Sequence, residues 1–431
     1  MATQLSRTFS SQGNQRKFTI SVWVKRSNLT AGQSFFGSGG SGNYATNMYF
    51  SGETIRFWNY FNGSYAGQKY SSAVFRDPSA WYHIVFRVDT TSATASERMR
   101  VYVNGEEISY ATSVNPSQNQ TMEIGHTGTH YIGGYGTGAQ AEMCMSHYHY
   151  CDGQSYAPTE FGEYDANGVW KIKLEPSVSY GVSGHFLFNN DASVTDQSGL
   201  GNNWSVNGGT LTQTEDNPSN VFATGNPLSP YVNRTISNGN LTLTSTTTHW
   251  TNLFSTLGVS TGKWYVELKA TAGSFHSFGI VNDFPVSENN VIGDFTSIAT
   301  QQIGYASNTG TKKVNESTSA YGDTWTNGDI ISMALDLDNN YIYFAKNGTW
   351  QNSGVPTSGA TGTGGISVNS GYTYFIGASA YNSSATSFNF GNGYFGTTAV
   401  ASAGTNASGI GIFEYDVPTG YTALSTKGLN L

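Results

Sequence analysis

Apolar and polar residues alternate in short runs along most of the chain. In residues 16–27 (RKFTISVWVKRS), Phe18, Ile20, Val22 and Val24 fall on one side, with Thr19, Ser21, Trp23 and Lys25 on the other. A period of two is the signature of a strand, whose successive side chains point to opposite faces. Residues 81–89 (WYHIVFRVD) and 98–108 (RMRVYVNGEEI) repeat the pattern, and the second run turns at Asn104-Gly105, a strong hairpin signal. Residues 328–350 (GDIISMALDLDNNYIYFAKNGTW) carry two more alternating runs around an acidic centre, LDLDNN. No long stretch carries apolar residues at helical spacing. The pattern predicts an all-β protein of short strands and tight turns.

Composition agrees. Charged residues make up 11% of the 431 positions and aromatics 14%, with 52 glycines. That length suffices for two or three domains with cores of their own. The net charge of −8 speaks against a nucleic-acid partner, which needs clustered Lys and Arg to displace counterions. The densest basic stretch is RKF at 16–18, which a solvated strand edge accounts for. No run of about 18 apolar residues is present, so no membrane insertion is expected. The polar opening, MATQLSRTFSSQGNQRKF, has no apolar core of a signal peptide, so standard secretion is not expected either.

Three segments in the first half, TISVWVKRS, DPSAWYHIVFRVDTTSATASERMRVYVNGEEI and IGGYGTGAQAEMCMSHYHYCDGQ, together resemble a laminin-G-like, concanavalin A-type jelly roll. Behind them come residues 184–209 (GHFLFNNDASVTDQSGLGNNWSVNGG), a segment that opens the domain in many laminin-G-like proteins. Its late position resembles a group of concanavalin-like proteins common in bacteriophage genomes, marine ones especially. The resemblance implies one sandwich over 1–224, with its closing strands supplied from 184–209. Residues 225–237 (GNPLSPYVNRTIS) are the linker candidate, leaving 238–431 as a second domain. There, STGKWYVELKA (260–270), FGIVN (278–282), IGYAS (303–307), the 322–348 hairpin and YTYFIGASAYNSSATSFNFGN (372–392) resemble, in that order, a SPRY domain. SPRY domains are β-sandwiches that bind partners through loops. The expected fold is two jelly-roll-type antiparallel β-sandwiches in tandem.

Four places invite chemistry. Asp336, Asp338 and Asn340 match positions 1, 3 and 5 of an EF-hand loop, but positions 6 and 12 are Tyr341 and Asn347 where Gly and Glu are required. A hairpin turn is the expected reading. In CMSHYHYCDG (144–153), strict alternation would put Met145, His147, His149 and Cys151 on one face and Cys144 on the other, so no disulfide and no four-ligand metal set is expected. Glucanases of the concanavalin type set Glu-x-Asp-x-Glu along a strand; the nearest sequences, EYDAN (163–167) and EYDVP (414–418), lack the second Glu. No catalytic residue, cofactor or metal is assigned. The fourth place is aromatic. RFWNYFNGSYAGQKY (56–70) and HTGTHYIGGYG (126–136), read as loops, mix aromatic faces with amides, a combination suited to sugar rings or to anchoring a protein. The candidate ligand-binding residues are Trp58, Tyr60, Tyr65, Tyr131 and Tyr135, whereas Phe57 and Phe61 are assigned to the core.

Heptads, Gly-X-Y runs and short repeats are absent from the sequence, which argues for a compact accessory protein or short spike rather than a shaft. The expectation is a non-enzymatic structural protein of a phage particle, a tail fibre or spike or a capsid-decorating protein. It would be assembled in the host cytoplasm, would be a homo-oligomer among other virion proteins, and would bind host cell-surface polysaccharide. A pure docking role in capsid or tail is the first alternative, and a glycan-degrading enzyme the second.

Overall fold

The computed structural model describes residues 3–30, 32–136, 141–189, 193–284, 289–297 and 301–431. The chain divides into two units, Met1–Gln213 and Thr214–Leu431. Along the first run β1 Gln4–Thr8, β2 Lys17–Arg26, β3 Gln33–Ser41, β4 Tyr44–Ser51, β5 Thr54–Phe61, β6 Ser64–Ser71, β7 Trp81–Asp89, β8 Met99–Val103, β9 Glu106–Glu107, β10 Tyr110–Val114, β11 Thr129–Ile132, β12 Met143–Asp152, β13 Gly162–Tyr164, β14 Trp170–Ile172, β15 His185–Leu187 and β16 Ser205–Gly208. An eight-stranded sheet, in the order β10-β6-β5-β4-β3-β11-β1-β16, and a six-stranded sheet, β15-β12-β2-β7-β8-β9, carry most of them. Phe18, Ile20, Val22 and Val24, the apolar side of β2, meet Phe35, Phe36, Met48, Phe50 and Phe57 in one core. Each such side chain contributes about 2 kcal/mol by leaving water. The late segment closes both sheets as the sequence leads one to expect: β15 pairs with β12, and β16 pairs with β1.

The six-stranded sheet is buried on its second face as well, which alternation alone does not predict. Thr19, Ser21, Trp23 and Lys25, the polar side of β2, are all buried. The excursion between β12 and β15 covers Thr19 directly, and Ser21 and Trp23 by way of His83 and Trp170. Thr19 Oγ1 donates to the Gln154 carbonyl (2.8 Å) and accepts from the Tyr156 N–H (2.8 Å). Trp170 crosses the sheet above Gly105 and Gly162, where an added Cβ would meet the indole at 2.6 and 2.5 Å.

The second unit contains β17 Arg234–Ser237, β18 Thr242–Ser245, β19 Thr251–Val259, β20 Lys263–Ala272, β21 His276–Val281, β22 Gln302–Ala306, β23 Thr311–Val314, β24 Ser317–Ala320, β25 Ile330–Asp336, β26 Tyr341–Lys346, β27 Thr349–Trp350, β28 Ile366–Ser367, β29 Tyr374–Ala380 and β30 Ala385–Asn389. A nine-stranded sheet is built along β17-β18-β30-β20-β25-β26-β27, with β28 and the short strand Thr422–Ala423 alongside; the other sheet runs β19-β29-β21-β22-β23-β24. The core between them takes Trp264, Val266 and Leu268 from β20 and Ile331, Met333 and Leu335 from β25. Tyr265 faces away from it into another buried cluster, roofed by Phe413, Val417 and Tyr421 from the C-terminal segment.

The division falls after Gln213, earlier than the 224 expected, and residues 225–237 are not a linker. Phe222 is 1% exposed in the cluster with Tyr265, and its backbone bridges Ser425. Gly225 bridges Ser255, and Arg234–Ser237 pairs with β18. The Pro and Gly content that reads as a linker belongs instead to turns in the second unit.

Candidate functional site

The aromatic stretch 56–70, expected to be a loop, is the β5–β6 hairpin, which turns at Asn62 and Gly63, both with positive φ (51° and 78°). Ile55, Phe57 and Asn59 point inward and are fully buried. Arg56, Trp58 and Tyr60 therefore occupy the outer face of the eight-stranded sheet, and each is half-buried. Phe57 lies in the core as expected, but Phe61 does not: it is half-buried, edge-on to Tyr44 at 5.1 Å.

Register aligns a row of residues across this face. Gln68 lies opposite Trp58, Trp58 opposite Asn47, Asn47 opposite Gly37, and Gly37 opposite Tyr131. Tyr65 is 52% exposed and stands edge-on to both Trp58 (6.0 Å) and Tyr60 (5.1 Å). Tyr135 comes from beyond β11, and its ring approaches Trp58 to 6.2 Å. Gly37 makes room for it, since a Cβ there would lie 2.7 Å from the Tyr135 ring. Burial raises the Tyr135 hydroxyl pKa, so the group stays a neutral hydrogen-bonding phenol. Of the five candidate residues, Trp58, Tyr60, Tyr65 and Tyr135 are thus joined in ring contact, and Tyr131 stands in the same row. Sequence reasoning missed Gln68, Asn47 and Gly37. Asn62-Gly63 marks the hairpin, but a register shift between Asn59 and Tyr60 sets Gln68 rather than Gly67 opposite Trp58, and no local signal places Asn47 and Gly37. The arrangement offers ring faces flanked by amides, with Arg56 stacked on Tyr70 (4.9 Å) at one side.

Strand β12 departs from the expected alternation. Its register slips between Ser146 and His149, and His147 adopts φ 47°. Before this bulge Met143 and Met145 pack toward the core; after it Tyr148 and Tyr150 do. Met145 therefore does not share a face with His149 and Cys151. Neither cysteine is in a disulfide, and burial pushes the Cys151 thiol up. His149 Nδ1 is 2.8 Å from the Tyr180 hydroxyl, and its ring stacks on Phe186 at 4.1 Å. Among the described residues no group of three His, Cys, Asp or Glu side chains is placed to hold a metal ion.

The LDLDNN centre is the turn of the β25–β26 hairpin. Asp336 Oδ1 accepts from the Asp338 and Asn339 N–H groups (3.1 and 2.9 Å), while Oδ2 accepts from Asn339 Nδ2 (2.8 Å) and pairs with Lys263 Nζ (2.9 Å). Protein donors saturate this carboxylate. Three of the four carboxylates in the EYDAN and EYDVP segments are also committed. Asp165 Oδ1 accepts from the Asn167 and Val169 N–H groups (both 2.9 Å), Glu414 Oε2 from Ala401 N–H (2.7 Å), and Asp416 Oδ1 from Thr405 N–H (2.7 Å). At one end of the first sandwich a polar cleft of about 690 Å³ opens beside residues 12–16 and Asp152. Asp152 accepts from the Asn14 and Ser183 N–H groups (2.6 and 3.0 Å) and so ties the strand ends together.

Comparison with known proteins agrees with this architecture. Residues 3–142 match the model of the concanavalin A-like lectin/glucanases superfamily, and residues 263–392 match that of the SPRY domain. The chain is a concanavalin A-like sandwich followed by a SPRY sandwich. No curated protein matches it. Solved structures similar to it include the SPRY domain of human HERC1 (16% identity over 38% of this chain and 96% of that one, TM-score 0.30) and the TRIM65 PSpry domain (12%, 38% and 89%, 0.31). Stonustoxin is also similar (13%, 39% and 27%, 0.29), and the chain spans about a quarter of that protein's length. No helix among the described residues is long and apolar enough to cross a membrane.

Proposed function

We propose that the protein is a non-enzymatic binding component of a phage particle that holds surface polysaccharide on the outer face of its first sandwich. The observation that carries the reading is the Gln68–Trp58–Asn47–Gly37–Tyr131 row, with Tyr135 laid over Gly37 beside Trp58. Aromatic faces take the C–H side of a pyranose ring, and flanking amides bond its hydroxyls. Mounting them on paired strands holds them rigid, which lowers the entropy lost on binding. The commitment of Asp165, Asp336, Glu414 and Asp416 to structural hydrogen bonds supports a binding role over hydrolysis. The virion setting, and with it neighbouring virion proteins and self-association, rests on the resemblance of residues 1–224 to phage proteins.

Titration of the full-length protein with host envelope polysaccharide, followed by tryptophan fluorescence, tests the ligand. Trp58→Ala is expected to weaken binding at least about tenfold with the fold intact. Undiminished binding by Trp58→Ala, or no binding by the unaltered protein, sinks the polysaccharide reading and leaves a docking role. Release of reducing sugar would sink the non-enzymatic one. Mass spectrometry of purified particles tests the location, and its absence from them would overturn the virion assignment.

A further inference from the structure

The second sandwich carries an aromatic row of its own, which the sequence analysis passed over. Strands β19, β29 and β21 are neighbours, and their register places Thr251 opposite Ala380 and His276 opposite the same Ala380. One residue further along, where each strand meets its loop, stand Trp250, Tyr381 and Phe275. The Trp250 and Tyr381 rings are 5.2 Å apart at 36°, and Phe275 meets Tyr381 edge-on at 5.7 Å. Phe275 is 37% exposed, and the other two rings are half-buried.

Three such rings grouped at a surface call for an explanation, because their burial would otherwise be favourable. The loops beneath them are tied to one another. Tyr381 N–H donates to the Phe275 carbonyl (3.2 Å), Asn382 N–H to the Thr247 carbonyl (3.1 Å), and Trp250 N–H to Asn289 Oδ1 (2.7 Å). Ser384 Oγ accepts from Phe275 N–H (3.2 Å), which locks the third loop. The rings are thus preorganised. Loop segments 246–250, 273–275 and 381–384 read TTTHW, GSF and YNSS, with no Asp, Glu, Lys or Arg. These three segments offer a charged ligand no carboxylate and no Lys or Arg, and their hydroxyls and amides beside ring faces match an uncharged, hydroxyl-bearing ring.

We propose that Trp250, Tyr381 and Phe275 form a second saccharide-stacking platform, selective for neutral sugar rings. The inference takes its ligand class from the reading above but stands on different residues in the other unit. Isothermal titration of the full-length protein with neutral hexasaccharides (a β-glucan, an α-mannan and a galactan) tests it. Two sites per chain are expected. Trp250→Ala removes one, Phe275→Ala weakens the same one about tenfold, and Trp250→Phe, which keeps a stacking ring, retains most of it. An unchanged thermal midpoint for Phe275→Ala shows that the fold is intact. Unchanged stoichiometry and affinity in both alanine variants overturn the platform, as does failure to bind any of the three sugars. If Trp58→Ala is silent and Trp250→Ala abolishes binding, the first-sandwich reading falls and this one stands.

Discussion

The two units use one hairpin twice and cover it by different chemistry. In the first, Asn104 has φ 49°, and its Oδ1 accepts from His83 N–H (2.9 Å). In the second, Asn347 has φ 47°, and its Oδ1 accepts from Ile330 N–H (2.9 Å). Each is followed by a glycine over which an aromatic ring from a distant segment lies: Trp170 over Gly105, Tyr415 over Gly348. The polar anchors beneath these covers differ. His83 is stacked between Trp23 (4.9 Å) and Trp170 (5.8 Å). Trp170 Nε1–H can only donate, so His83 Nδ1 accepts it (3.0 Å), and Nε2–H donates to Ser21 Oγ (2.8 Å). That requires a neutral ring, and burial lowers the His83 pKa to about 3. In the second unit the fully buried Glu267 accepts from the Glu414 and Tyr415 N–H groups (both 2.9 Å) and from Tyr265 and Asn389 (both 3.2 Å). Burial raises its pKa to about 7 against the lowering effect of those donors. A shared turn thus leaves the sign of the buried polar group free.

The largest test of that contrast removes the carboxylate. Glu267→Leu leaves two backbone and two side-chain donors unsatisfied, and should destabilise the second unit by about 3–5 kcal/mol. Protease should then cut residues 401–420 first; if they stay protected, the carboxylate does not hold the cover. Trp170→Ala should cost the first unit about 3 kcal/mol or more and expose the outer face of its six-stranded sheet, read as faster hydrogen exchange in β2 and β7. Protection left as before would show that the excursion is held elsewhere.

Acid should act on the two units in different pH windows. A histidine with a lowered folded-state pKa contributes stability that is present above about 6.5 and lost as pH falls toward the folded value. His83, His130 and His185 (each about 3), His147 (about 4) and His149 (well below 6.5) all do so in the first unit, opposed there by Glu123, which burial raises. Glu267 contributes the reverse, with stability complete below about 4.5 and lost as pH rises through about 7. His276, lowered to about 4, offsets Glu267 below pH 6.5. From pH 8 to 6.5 the denaturant midpoint of the second unit should therefore rise while that of the first holds. From 6.5 to 4.5 the first should fall by up to about 1.4 kcal/mol per pH unit per histidine. Parallel curves would refute the contrast. The smallest effects belong to the shared turn, where Asn104→Ala and Asn347→Ala should each cost about 1–2 kcal/mol, and equally. Unequal losses would mean that the covers, not the turns, set these hairpins' stability.

The sheets, their alternating cores and the Asn-Gly turns were legible because period-two patterning and left-handed turn residues are local signals. So was the late closure by 184–209. The covers were not legible, since residues 153–182 and 400–424 make their contacts through isolated rings such as Trp170 and Phe413, without periodicity. The β12 bulge escaped notice because it falls at His147, with no glycine to mark it. The candidate aromatic face was found by composition but misread as loops. Aromatic residues stand on both faces of β5, which conceals the alternation that sends Phe57 inward and Trp58 outward.

The pairing of Ser6 with Ser205, and of Phe222 with Ser425, has a kinetic consequence. Each sandwich is closed by joining the two extremes of its own segment, so contacts of the greatest possible sequence separation are needed to finish it. On the ribosome neither unit can seal until its final strand has emerged, and the partner strand waits with an open edge. Folding should be slow for chains of this size, and aggregation during synthesis, rather than unfolding of the finished protein, is the hazard this topology sets.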